Sequence, residues 1–153
     1  MSNILTIYDM LAATNITVGS TSIAVKDADE IPNRVLAADL PVRLLTPIAD
    51  LGGSGVTSST VWAGGSGSVV RQATWVIHDV MLWRPVALDV GVKAWAKQLL
   101  AYEAEYFSML ETLALPGVVR VDASLQPSVI EYPLYSGNLY AGVRVMLTVV
   151  EKW

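Results

Sequence analysis

The chain contains no cysteine. That excludes a disulfide framework, thiolate zinc sites and thiol nucleophiles, while leaving the compartment open. Histidine is nearly as scarce: His78 is alone, so no site can rest on two imidazoles. Metal ligation would fall to carboxylates. Asp27, Asp29 and Glu30 form the one tight acidic cluster, which lacks the glycine and terminal glutamate of a calcium loop and reads as a solvated turn. Charge is sparse too, at 16% of residues against about 25% in average chains. The net charge is −4, the pI is near 4.8, and the ten Lys and Arg residues are scattered. Proteins that grip nucleic acid through its phosphates carry basic stripes, and none is present here. With no basic groove beside them, the five tryptophans and six tyrosines are destined for core and subunit contacts rather than base stacking.

A long apolar run is also missing. The longest charge-free stretch, Leu51 to Val70, is dominated by Gly, Ser and Thr, whereas a membrane span needs about 20 mainly apolar residues. The opening Met1-Ser-Asn-Ile has neither the basic region nor the apolar block of a secretory leader. Yet 53% of residues are hydrophobic and the mean hydropathy is +0.47, which is greasy for a soluble monomer. A soluble subunit that buries much of its surface in an oligomer reconciles the two. At 153 residues a single domain, 1–153, is expected.

Apolar spacing marks a helix from Asp89 to Leu113. Val92, Trp95, Ala96, Leu99, Tyr102, Tyr106, Met109, Leu110 and Leu113 share one face, with Lys93, Lys97, Ala104, Ser108 and Glu111 opposite. Asp89 is the expected cap and Pro116-Gly117 the stop. Leu100 and Phe107 widen the apolar side, which implies a second partner besides the helix's own sheet. Ile4 to Ala13 reads as a short first helix with Ser2 or Asn3 as cap. Strands are expected at Thr17 to Val25, at Leu40 to Ile48 between Pro41 and Pro47, and at Val69 to Trp83. On the last of these, Trp75, Ile77, Met81 and Trp83 share a face that Asp79 interrupts, and Val70, Val76, Val80 and Leu82 share the other. Val118 to Val121 reads as a strand or an extended link. The chain closes with a hairpin: Ser128 to Tyr135, a Ser136-Gly137-Asn138 turn, then Leu139 to Val150. Between the Leu40–Ile48 and Val69–Trp83 strands, 50–68 reads as a flexible hairpin arm or an excursion in the sheet, with glycine tracts on either side of Val61-Trp62.

No catalytic constellation emerges. His78 and Asp79 are strand neighbours that point to opposite faces, so they form no dyad. The glycine tracts lack the Lys-Ser/Thr of a phosphate loop, the dinucleotide fingerprint and the nucleophile-elbow spacing. The expectation is a protein that is not an enzyme and takes no cofactor or metal.

The order of parts is more informative. A short helix precedes the Leu40-Pro41 strand and a β excursion; the Trp75–Trp83 strand with Asp79 follows. Then come one long Tyr-bearing helix and a strand pair closing on Tyr135-Ser-Gly-Asn-Leu-Tyr-Ala-Gly-Val-Arg-Val. This pattern, over most of the chain, resembles the tail-terminator (tail-completion) proteins at the head–tail junction of long-tailed bacteriophages. The resemblance implies an α+β fold in which a mixed, mostly antiparallel sheet packs on one long and one short helix, with a Gly/Ser-rich β excursion. It implies a ring of identical subunits, six by expectation, that caps the tail tube, docks on the head connector and leaves a channel for DNA. The partners implied are the tail tube protein and the connector or adaptor, with DNA passing unbound and no membrane; the place is the virion, after assembly in the host cytoplasm. Subunit and partner contacts are expected at Gly52, Gly55, Val61, Trp62, Gly64, Gly67, Tyr140, Arg144 and Met146, and on the apolar side of the helix. Alternatives are another neck or connector ring protein, or a cytoplasmic α+β domain holding a small apolar ligand between sheet and helix.

Overall fold

The structure, a computed structural model, describes residues 2–27, 29–32, 35–46, 58–65, 68–87, 89–132 and 138–153. The elements are α1 (Ile4–Ala13), β1 (Ile16–Val18), β2 (Thr21–Lys26), β3 (Val42–Thr46), β4 (Ser58–Gly65), β5 (Ser68–Pro85), α2 (Ala96–Thr112), β6 (Val118–Glu131) and β7 (Leu139–Lys152). They form an α+β fold with one mixed sheet ordered β1-β2-β3-β5-β7-β6, and β4 also pairs with β5. Among the described strands only the β2–β3 pair is parallel.

β5 is the spine. Its alternation gives each face a separate core, because successive strand residues point to opposite sides. Ile77, Met81 and Trp83 join Ala141, Val143, Val145, Leu147 and Val149 of β7 beneath the helices. Val80 and Leu82 face the other way, into a smaller cluster with Val35, Leu40, Val42, Leu44, Ile130, Tyr132 and Tyr140. The helices cover the first face with the residues their periodicity predicts: Ile7 and Leu11 from α1, and Leu99, Tyr102, Tyr106 and Met109 from α2. Ala96, expected on that inner face, is exposed instead.

Several boundaries differ from expectation. A 3-10 turn, Lys93–Trp95, precedes α2, and Asp89 is not its cap. The Val90 and Gly91 amides both donate to the Ala87 carbonyl, and Gly91 takes φ +60°. That left-handed residue interrupts any helix running from Asp89. The expected strand over Thr17 to Val25 is a hairpin, β1–β2, because Gly19 at φ +61° reverses the chain. Val118 to Val121, expected as a strand or an extended link, is the start of β6, which runs from Val118 to Glu131 along β7 with a register shift between Val118 and Arg120. Pro127 is tolerated in it because β6 is an edge strand, where no outward amide is required. The expected turn at Ser136-Gly137 lies outside the described residues.

Two close approaches fix the register. β5 and β7 shift between Leu82 and Arg84, a bulge that leaves Trp83 without an opposite residue. Beside it, where Gly142 faces Leu82, a Cβ on Gly142 would lie 2.1 Å from the Met81 carbonyl oxygen, so only glycine fits. At the far end of β7 the buried Glu151 carboxylate accepts from the Ser2 hydroxyl, from the Asn3 amide at 2.9 Å and from Trp75 Nε1 at 2.9 Å. Asn3 makes no side-chain cap; Ser2 Oγ accepts from the Ile4 amide at 3.2 Å, and the anion that complements the first turn comes from the last strand.

Candidate subunit-contact surface

β3 and β4 run in the same direction along one edge of β5. Thr46 lies opposite His78, and the line resumes with Ser58 opposite Trp75. β7 flanks the other edge of β5 only from Gln72 onward, where it meets Lys152. The pairs from Trp62↔Arg71 to Gly65↔Ser68 therefore form a two-stranded ribbon beyond the end of β7. Trp62 and Gly64 belong to this ribbon and Val61, opposite Gln72, lies at its root, whereas Gly52, Gly55 and Gly67 lie outside the described residues. The ribbon is antiparallel and paired along its length, the hairpin form of the two expected there.

The second face of the sheet is divided in two. One half is closed by the smaller core, and Tyr140 belongs there: it is 4% exposed and its hydroxyl donates to the Val35 carbonyl at 3.1 Å. Its expected place on an outward contact face is corrected accordingly, because the segment around Val35 to Leu44 folds over that end of the strand. The other half is open. Met146, at 43% exposed, lies in register between His78 and Ser124, and the half-buried Arg144 lies between Val80 and Gln126. Of the nine expected contact residues, Arg144 and Met146 thus share one open face, Trp62 and Gly64 lie in the ribbon with Val61 at its root, and Tyr140 joins neither.

Beneath α2 lies a polar cluster that periodicity alone did not reveal. Arg43 and Asp79 are both fully buried, with Arg43 Nε 2.6 Å from Asp79 Oδ2. Tyr106 Oη donates to the same carboxylate oxygen at 2.8 Å, and Arg43 Nη1 donates to the Thr14 carbonyl at 2.8 Å. The guanidinium carbon sits 5.4 Å from the centre of the Tyr106 ring, a cation–π distance. Burial is the largest single influence and works against the Arg43 cation, but the Asp79 carboxylate together with Tyr106 and Tyr102 outweighs it and holds the guanidinium above its ordinary range. Burial pushes the Tyr102 and Tyr106 hydroxyls well above the usual tyrosine value, and the Asp79 charge pushes the same way. The signal was present in the sequence as two opposite charges, each alone on an apolar strand face: such charges must find each other. The cluster ties β3, β5, α2 and the end of α1 into one unit. It is sealed from solvent, so it positions elements rather than meeting a partner.

The remaining surface carries isolated apolar groups. Leu100 is 60% and Phe107 47% exposed on α2, and Val119 is 55% exposed on β6. A shallow cleft of about 260 Å³ runs between Phe107, Leu110 and Glu111 of α2 and Val121 and Ala123 of β6. Among the described residues no helix is long and apolar enough to cross a membrane, and no group of three His, Asp or Glu side chains is placed to hold a metal. No family model matches the chain, and no curated protein matches it in sequence.

Proposed function

We propose that this chain is a structural subunit of a phage head–tail junction, forming a closed ring that terminates the tail tube and leaves a passage for DNA. The reading combines the order of elements, which resembles the tail terminators, with the surface left over once the core is complete. The observation that carries it is a pair of unlike exposed features: the ribbon that β4 and β5 form beyond the end of β7, and the open half of the second sheet face around Arg144 and Met146, the latter 43% exposed. The ribbon of β4 and β5 supports the ring in particular. Two-stranded ribbons are marginal alone and gain stability against a third surface. A ribbon on one side and an open sheet face with Arg144 and Met146 on another are different patches, as head-to-tail contacts in a closing ring require.

The chemistry of the passage is repulsion. A charge of −4 per subunit, repeated around a ring, would not hold DNA, which carries one negative charge per ~1.7 Å of duplex. The reading with a small apolar ligand between sheet and helix is less favoured, because Leu99, Tyr102, Tyr106 and Met109 fill that space against the sheet. Electron images of the purified full chain, with a duplex retardation assay at low salt, test the proposal. Rings with a central opening and no retained DNA are expected; single subunits without rings, or tight salt-sensitive DNA binding, would overturn it.

A further inference from the structure

The outward face of α2 is separate from the ribbon and the open sheet face, and its own charges select its occupant. At about 100° per residue, Lys97, Ala104 and Glu111 fall on one line along the helix, with Leu100 and Phe107 beside it. Lys97, Ala104 and Glu111 are all exposed, and neither charged residue is in an ion pair among the described residues. The basic residue is toward the N-terminal end and the acidic one toward the C-terminal end, equally spaced about Ala104. A second copy of the same helix, laid antiparallel, therefore complements the first. Lys97 of each copy meets Glu111 of the other, Leu100 of each packs on Phe107 of the other, and the small Ala104 side chains meet at the two-fold axis. Glu103 and Glu105 point to the flanks, outside this seam.

We infer that α2 forms an isologous antiparallel contact between two copies of this chain, centred on Ala104. It is distinct from the head-to-tail contacts of the proposed ring and joins subunits, or whole rings, in pairs. Isologous contacts require such self-complementarity, in which residue i meets j and j meets i. Small residues at a helix seam let the backbones approach at about 8 Å.

The absence of cysteine supplies a direct test. In the full chain, Ala104→Cys places one thiol at the axis, within disulfide reach of its own counterpart. Lys97→Cys places it about 21 Å from its counterpart, since 14 residues at 1.5 Å separate the two positions along the seam. Mild oxidation should convert Ala104→Cys almost wholly to a covalent dimer and leave Lys97→Cys uncrosslinked. Separately, Lys97→Glu should weaken pairing roughly tenfold by setting like charges opposite, and the exchange Lys97→Glu with Glu111→Lys should restore it. Equal crosslinking at both positions, no crosslinking at 104, or an exchange variant no better than the single one would overturn the inference. Ring images read the ring proposal independently, so either can fail while the other stands.

Discussion

Replacing Asp79 by alanine would leave the Arg43 guanidinium buried beside an aromatic ring with no counter-charge. Tyr106 would lose its acceptor in the same step, because one carboxylate oxygen serves both groups. Removing one partner of a buried ion pair costs about 3–5 kcal/mol. In a domain of this size each kcal/mol lowers Tm by about 2–4 °C, so a fall of roughly 6–20 °C is expected. The complementary variant separates pairing from burial. Arg43→Met combined with Asp79→Leu removes both charges and keeps apolar volume, which is neutral or stabilising by about 1–4 kcal/mol in comparable cases. Single and double variants, unfolded in urea and followed by tryptophan fluorescence, give the coupling directly. An Asp79→Ala cost under about 1 kcal/mol, or a double variant as unstable as the sum of the singles, would refute a mutually dependent pair.

Leu99→Ala and Leu147→Ala each empty a fully buried site between α2 and the sheet, so each should cost about 2–5 kcal/mol in thermal or chemical unfolding. Gly142→Ala should cost about 3 kcal/mol or prevent folding, because its Cβ meets the Met81 carbonyl; wild-type stability would show that the β5–β7 bulge relaxes freely. Stability should also fall as pH rises past about 10, by up to about 1.4 kcal/mol per pH unit for each of Tyr102 and Tyr106. Their folded values lie above 10, so the unfolded chain loses its protons first and the alkaline side favours unfolding. Flat stability through that range in pH-scanned denaturation would contradict their burial.

Periodicity made the layers legible. The two faces of β5 and the inner stripe of α2 follow from spacing alone, because burial on one side is what spacing encodes. It failed where a local or distant constraint dominates. Gly91 breaks the turn that Asp89 was expected to cap, and only its left-handed backbone shows this. The expected pieces of β6, Val118 to Val121 and Ser128 onward, leave out the stretch between them, although Val121, Ala123 and Leu125 alternate there with Asp122, Ser124 and Gln126. Tyr140 shows the limit of alternation: it points to the second face as expected, but spacing does not tell that Val35 to Leu44 covers that half and leaves Met146 open. The Glu151 contact with the first helix joins residues 148 or more positions apart, beyond any local pattern.

The central claim is a closed oligomer with apolar contacts, and the mass of the purified full chain from low to high salt tests it most directly. Screening acts on exposed charges over about 8 Å at physiological strength and leaves apolar contacts intact. The account predicts one ring mass, or a pair of rings, whose ring component persists at high salt. A chain that remains a monomer or simple dimer at every concentration, or a ring that dissolves at moderate salt, would contradict it.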